Sequence, residues 1–258
     1  GMTAATIVMH QGPNTGSVFG HVFDFSTLPV LARVVLALLV CIVLCTIFTT
    51  IAGFFTAKFK MHPFISTMAN MLVIFGLVTY STKGVSFGAI DSTIPNMIIP
   101  RINGFPTIIL WAIAAVIVVW FIWNKTTFGK NLFAVGGNAE AAEVSGVSVT
   151  KTIMGVFLYA GLMYGIASFL EGARIQSVGT ATGINYELDA IAGCVIGGVS
   201  FNGGIGTVPG VVIGSIILQA INYGLYFLGV NAYLQYIIRG AIIIIAVAID
   251  VQKYVAKK

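Results

Sequence analysis

"LDAIAGCVIGGV", Leu188 to Val199, is the stretch on which the architecture turns. It is apolar, rich in glycine and only about twelve residues long. A helix that crosses the hydrocarbon core of a bilayer needs about twenty. If the stretch re-enters without crossing, everything after it is inverted. If it belongs to a crossing, the chain ends on the same side as its other basic segments.

The surrounding sequence is that of an integral membrane protein. Of 258 residues, 58% are hydrophobic and 8% are charged. A soluble domain carries roughly 25% charged residues, so this chain has too little polar surface to cover a globule in water. Apolar runs suited to spans are Leu28–Thr56, Phe64–Tyr80, Pro106–Asn124, Thr152–Glu171, a segment from Tyr186, Ile205–Gly224 and Leu234–Val251. Alternating strand-like patterns are absent, which argues against an outer-membrane barrel. The expected fold is all-α: one polytopic transmembrane helix bundle over residues 1–258, with one broken or short span and a short cytoplasmic helix inside the polar loop 125–151. The opening residues "GMTAATIVMH" read as the tail of an earlier span; either the natural protein carries further N-terminal spans or the chain starts on an unusually short helix.

Lysine and arginine set the orientation. Lys58 and Lys60 follow the first span, Lys125, Lys130 and Lys151 flank the polar loop, and Lys253, Lys257 and Lys258 close the chain. With all three groups cytoplasmic, the loops around Lys83/Arg101 and Arg174 lie outside and the C-terminus lies inside. That parity requires the Tyr186 segment to cross. The expectation is a broken or tilted crossing that continues through the glycines toward Ile205. The net charge of +5 is therefore a topology signal, and no nucleic-acid partner is expected.

Glycines recur every fourth residue at Gly206/Gly210/Gly214, Gly161/Gly165 and Gly193/Gly197. This spacing lets helix backbones approach closely in lipid. "GGVSFNGGIGTVPG" (Gly197–Gly210) has a phosphate-loop look, but it lacks the Lys-Ser/Thr end and any dinucleotide unit. A cytoplasmic turn between spans is the better reading. Cys41, Cys45 and Cys194 sit inside apolar runs as small core residues. His10, His21 and His62 form no ligand spacing, and no metal site is expected.

The polar loop "NKTTFGKNLFAVGGNAEAAEVSGVSV" (Asn124–Val149) contains a short helix by its punctuation. Asn138 can cap its N-terminus, Glu140 lies in the first turn where the helix dipole favours a carboxylate, and Gly146 can stop it. About two turns result, too short to be stable alone in water. Ala141 and Ala142 would let another surface approach, and Glu140 and Glu143 share a face. A plain surface helix is the alternative.

Polar residues within spans are Asn70, Gln219 and Asn222, candidates for a translocation pathway or for hydrogen bonds between helices. Glu171, Arg174, Glu187 and Asp189 cluster at outer span ends, and Arg239 enters the last span from that side. They read either as interfacial salt bridges or as a docking mouth for a binding protein.

"EAAEVSG" resembles the EAA-type cytoplasmic loop of ABC-transporter permeases. "WNKTTFGKNLFAVGGNAEAAEVSGVSV", "HPFISTMANMLVIFG", "ELDAIAGCVIGGVSFNGGIGTVPG" and "INYGLYFLGVNAYLQYIIRGAIIIIAVAID" resemble the permeases of bacterial sugar importers of the ribose/galactose type. The Ile-x-Leu-Pro ending of the wider EAA pattern is missing after Gly146, as is common in the ribose-type branch, and family members are longer at the N-terminus. The resemblance implies a permease for a monosaccharide such as galactose in the inner membrane. It also implies a coupling helix made by Asn138, Glu140, Ala141, Ala142 and Gly146. The implied partners are a second permease chain as a homodimer, cytoplasmic ATPase subunits, a periplasmic or lipid-anchored sugar-binding protein and membrane lipid. No cofactor is expected in this chain, since ATP and Mg belong to the partner ATPase. A self-sufficient secondary transporter would call for central ionisable groups, and an intramembrane enzyme for a catalytic constellation; the spans offer neither.

Overall fold

The computed structural model describes residues 28–86, 93–102, 104–201 and 203–255. The reading of the opening residues as the end of an earlier span falls outside them. The helices are α1 (Val30–Phe59), α2 (Pro63–Thr82), α3 (Thr93–Ile98), α4 (Ile108–Lys125), α5 (Thr127–Gly137), α6 (Ala139–Val144), α7 (Val149–Ile175), α8 (Tyr186–Ile196), α9 (Val208–Phe227) and α10 (Ala232–Val255). Among the described residues five helices, α1, α2, α4, α7 and α9, are long and apolar enough to cross a membrane. The all-α, polytopic expectation holds. One small hairpin departs from it, β1 (Arg101–Ile102) with β2 (Phe105–Pro106), paired antiparallel, with Gly104 at φ +83 ahead of β2. Asn-Gly between two strands is a strong hairpin signal, here in a stretch too short to show alternation.

The chain falls into two compact units, Gly1–Ala112 with Thr150–Thr182, and Ile113–Val149 with Gly183–Lys258. In the first, α7 runs antiparallel along α1. A Cβ built on Gly161 would stand 2.6 Å from Thr46 Cα, one on Gly53 would stand 2.7 Å from Phe157 Cβ, and Gly165 faces Ile42. Further along, Ala37 and Cys41 of α1 join Phe169 and Ala173 of α7 and Ile94 and Ile98 of α3 in a buried cluster. Side chains fasten α2 to α1: Ser66 Oγ donates to the Ala52 carbonyl at 2.8 Å, and Asn70 Nδ2 donates to the Phe48 carbonyl at 3.1 Å. His62 caps α2, its Nδ1 accepting from Phe64 N at 3.4 Å, with Pro63 placed where its missing N–H costs nothing.

In the second unit the decisive stretch does something other than expected. α8 stops at Ile196 after 11 residues, about 16 Å and half a bilayer core. Gly198 then takes φ +84. Its N–H donates to the Val195 carbonyl at 2.9 Å and that of Val199 to the Cys194 carbonyl at 3.0 Å, a left-handed helix stop. Ser200 N bonds the Ile205 carbonyl at 3.0 Å, closing the turn. α9 follows a Thr207 cap and returns antiparallel along α8, with Gly193 against Ser215 and Gly197 against Gly210. The expected run of the crossing through the glycines toward Ile205 is thus corrected. Those glycines reverse the chain, because left-handed backbone is open to them and they leave no side chain to hold a helix. The short-span and turn readings stand together: a half-length helix and a tight turn.

Large apolar side chains remain exposed along the spans, among them Leu39, Val43 and Ile47 of α1 and Ile113 and Ile117 of α4. That is the composition of a surface solvated by lipid. Lys58 and Lys125 lie in the last turns of α1 and α4, and Lys125 Nζ sits 5.6 Å from the Trp120 ring centroid. Both sites suit cations at a helix C-terminus and aromatic rings at a membrane interface.

Candidate functional site

The polar loop begins with a sharp corner. Thr126 caps α5, accepting from Gly129 N at 3.4 Å while its hydroxyl donates to the Ile122 carbonyl at 2.6 Å. Any side chain at Gly129 would strike the Trp123 carbonyl. α5 was not read from the sequence, although its signals are there: a Thr cap and an exposed stripe Thr127, Lys130, Ala134, Gly137 at helical spacing. Phe128 of α5 stacks edge-on with Trp123, ring centroids 6.3 Å apart.

Asn138 serves two helices. Its N–H donates to the Ala134 carbonyl at 3.0 Å to close α5, and its Oδ1 accepts from Ala141 N at 3.0 Å to open α6. At the other end Gly146 takes φ +85, its N–H donating to the Glu143 carbonyl at 3.0 Å and Val147 N to the Ala142 carbonyl at 3.0 Å. The cap and the stop read from the sequence are both present. α6 is therefore held in shape at both ends although it has only six residues. It keeps little contact with its own protein. Glu140, Ala141, Glu143 and Gly146 are exposed, and Val144 is 92% exposed. The exception is Ala142, 5% exposed, which the chain itself covers. The expectation that Ala141 and Ala142 both await another surface is corrected for Ala142.

α5 in turn rests on the turn between α8 and α9. A Cβ on Gly136 would stand 2.7 Å from Gly204 N, and one on Gly203 would overlap the Gly136 carbonyl. The polar loop and the glycine turn thus lie at one end of their unit.

The polar residues of the spans are distributed unevenly. Asn70 is committed to the α1 backbone. Asn222 is 8% exposed, and its Oδ1 accepts from Arg239 Nε at 3.0 Å. The same guanidinium reaches Asp189 through Nη1, at 3.4 Å to Oδ1 and 3.3 Å to Oδ2. Arg239 of α10 thereby ties α9 to the first turn of α8. The sequence placed Arg239 merely at the mouth of its span; the structure makes it the hub of three helices. Gln219, three residues from Asn222 and expected on its face, is exposed. Among the four expected docking residues, Arg174 holds Glu171 with both ends of its fork, at 2.7 and 2.6 Å. Glu187 is half-buried in the first turn of α8 beside Asp189. Arg33, 4% exposed near the start of α1, was not singled out from the sequence, where it reads as one cation at a span end. Among the described residues no group of His, Cys, Asp or Glu is arranged to hold a metal ion.

A chain of apolar spans with a short, capped and largely exposed helix on its polar loop is built as a polytopic membrane protein. A family model described as the permease component of a branched-chain amino acid transport system matches residues 1–247, and the chain belongs to that family. It is 46% identical over 268 residues to the galactose/methyl galactoside import permease protein of Treponema pallidum, covering all of this chain and 50% of that one. The proteins of the same description from Haemophilus influenzae and Escherichia coli are 48% identical over 214 residues and 42% identical over 265. These matches cover 80% and 100% of this chain, and 63% and 76% of theirs. The chain thus spans about half to three-quarters of the length of these relatives. No solved structure matches it. The resemblance to sugar-importer permeases is borne out.

Proposed function

We propose that this chain is the membrane-spanning subunit of an ATP-driven importer for a monosaccharide. Galactose or methyl galactoside is the first candidate, since relatives carrying that description align over the whole chain. The observation that carries the reading is α6. A two-ended cap preserves a helix that buries one residue, Ala142, and offers the rest outward. So short a helix has no independent stability, and a partner surface is the natural destination of its exposed face. Asn138 and Gly146 shape the peg, while Glu140 and Ala141 meet the groove of a cytoplasmic ATPase. Cations of that groove are drawn to Glu140 and to Glu143 on the same side. ATP and Mg are bound and hydrolysed in that partner.

The polar loop and the C-terminus then face the cytoplasm of a bacterial inner membrane, and Glu171, Arg174, Glu187 and Asp189 face the sugar-binding protein outside. Two permease chains form the pathway. Gln219 is its best-placed amide, because an exposed carboxamide on a membrane span needs water, sugar or a partner helix. Asn70 and Asn222 serve chiefly to fasten helices.

Co-expression with the ATPase subunit tests the reading. Ala141→Trp and Glu140→Lys are expected to insert normally, to lose co-purification of the ATPase and to lose sugar uptake. Retained ATPase binding by both variants, or labelling of a cysteine at position 140 only from outside the cell, would overturn it.

A further inference from the structure

The coupling peg has a mechanical continuation. α5 leads into α6 through the shared cap Asn138, so the two helices meet at one residue. The last turn of α5 touches the α8–α9 turn backbone to backbone, with Gly136 against Gly203 and Gly204. No flexible side chain lies in this contact to absorb a displacement. From the turn, α8 and α9 leave side by side and are locked at comparable closeness. A Cβ on Gly214 would stand 2.8 Å from Gly197 Cα, and one on Gly193 would stand 3.3 Å from Ser215 Cα. Close-packed backbone transmits displacement because it has no slack to take up.

The far end of this hairpin is held differently. There the tie to α10 is polar: Asp189 of α8 and Asn222 of α9 both meet Arg239. The Asp189 contact, 3.3 Å at its shorter, is long for a charge-assisted bond, which favours 2.7–2.9 Å. Its partners keep 27% and 31% of their side-chain surface open. A contact this long and partly open parts more readily than a short, closed one. Both anchors sit on the hairpin and their common partner sits on α10, so one movement of the hairpin releases both.

We infer that the α8–α9 hairpin is the element the coupling loop moves, driven through the Gly136–Gly203/Gly204 contact and latched at its other end by Arg239 to Asp189 and Asn222. Arg239 is a positioning residue: it holds the hairpin on α10 until the push at the glycine turn breaks the latch. The inference rests on the coupling role proposed above for α6 and extends it to the route that the movement takes.

The test uses the assembled importer, with its ATPase and sugar-binding protein, in proteoliposomes. Gly136→Ala adds one Cβ against Gly204 N in an ordinary helical backbone, whereas Gly137→Ala adds one that meets nothing within 4 Å. Gly136→Ala is expected to keep ATPase co-purification and lower uptake per ATP hydrolysed about tenfold, within the usual range of coupling between sites. Gly137→Ala is expected to leave both unchanged. Equal effects from the two, or none from Gly136→Ala, overturn the contact. If Gly136→Ala fails to fold, the latch gives a second reading. Arg239→Ala, which frees the hairpin from α10, is expected to lower uptake per ATP hydrolysed about tenfold with the ATPase still bound, and Arg239→Lys, which keeps a cation opposite Asp189, to recover part of the loss. Undiminished uptake per ATP in Arg239→Ala overturns the proposal. Failure of the unaltered chain to bind the ATPase would instead sink the coupling role itself.

Discussion

The α1–α7 pair and the α8–α9 pair are both antiparallel helices brought together by glycines, yet they differ in what each glycine meets. Gly53, Gly161 and Gly165 of the first pair face side chains or the backbone of non-glycine residues on full-length spans. Those spans also share the buried cluster around Ala37, Cys41 and Phe169. In the second pair glycine meets glycine, Gly197 against Gly210 and Gly214 against both Gly193 and Gly197. A half-length helix cannot collect enough side-chain contact to hold its place. It compensates by letting the backbones approach until no side chain fits between them. Lipid offers little hydrophobic drive for helix association, so close packing has to supply the attraction.

Enlarging a residue in each pair tests the difference. Gly214→Val, placed against the Gly193 carbonyl, is expected to cost about 3 kcal/mol or more and to abolish monodisperse protein in detergent. A normal melting profile would remove the rigid hairpin from the account. Loss of the α6 cap comes next. Asn138→Ala is expected to cost about 1 kcal/mol, confined to the loop, and to show as faster proteolysis between Gly137 and Gly146 with the spans intact. In the first unit, Asn70→Ala removes one tie between α2 and α1 and is expected to cost about 0.6 kcal/mol, the average for hydrogen bonds between membrane helices. Thermal unfolding in detergent would read it, and a loss as large as that of Gly214→Val would show that side chains, not backbones, govern both pairs. The smallest effect belongs to Arg174→Ala. Its fork on Glu171 spans one helix turn and is 54% exposed, so a loss under about 0.5 kcal/mol is expected after solvent screening. A double-mutant cycle with Glu171→Ala measures that coupling.

Much of this arrangement was legible before any coordinates. Composition and run length gave the spans, and the observed α1, α2, α4 and α7 lie within a few residues of them. Asn138 and Gly146 announced the ends of α6 because capping is a local rule, met by a residue's own side chain or its own φ. The four-residue glycine spacing pointed to close helix contact, which holds for Gly161/Gly165, Gly193/Gly197 and Gly210/Gly214, whereas Gly206 lies in the turn against the Val199 side chain. Three things were hidden. α5 was masked by its glycines, which weaken a helix by propensity but are kept here for contact at Gly129 and Gly136. The end of α8 at Ile196 was hidden because an apolar run with glycines reads equally as a continuing span, although Gly197–Gly210 reads as a turn. Arg239 looked like one more cation at a membrane edge, since nothing in its neighbourhood along the chain names Asp189, fifty positions away.

The sequence by itself determined what depends on single residues and their near neighbours: that the chain lives in lipid, where most of its long spans and α6 lie, which loop is polar, and which family it resembles. Only the tertiary structure decided which glycine touches which, that Ala142 is covered while Ala141 is open, and that one arginine gathers an aspartate and an asparagine from two other helices. Those are relations between distant segments. Their energies arise from packing and pairing across space, and a spacing rule read along the chain carries no record of the partner.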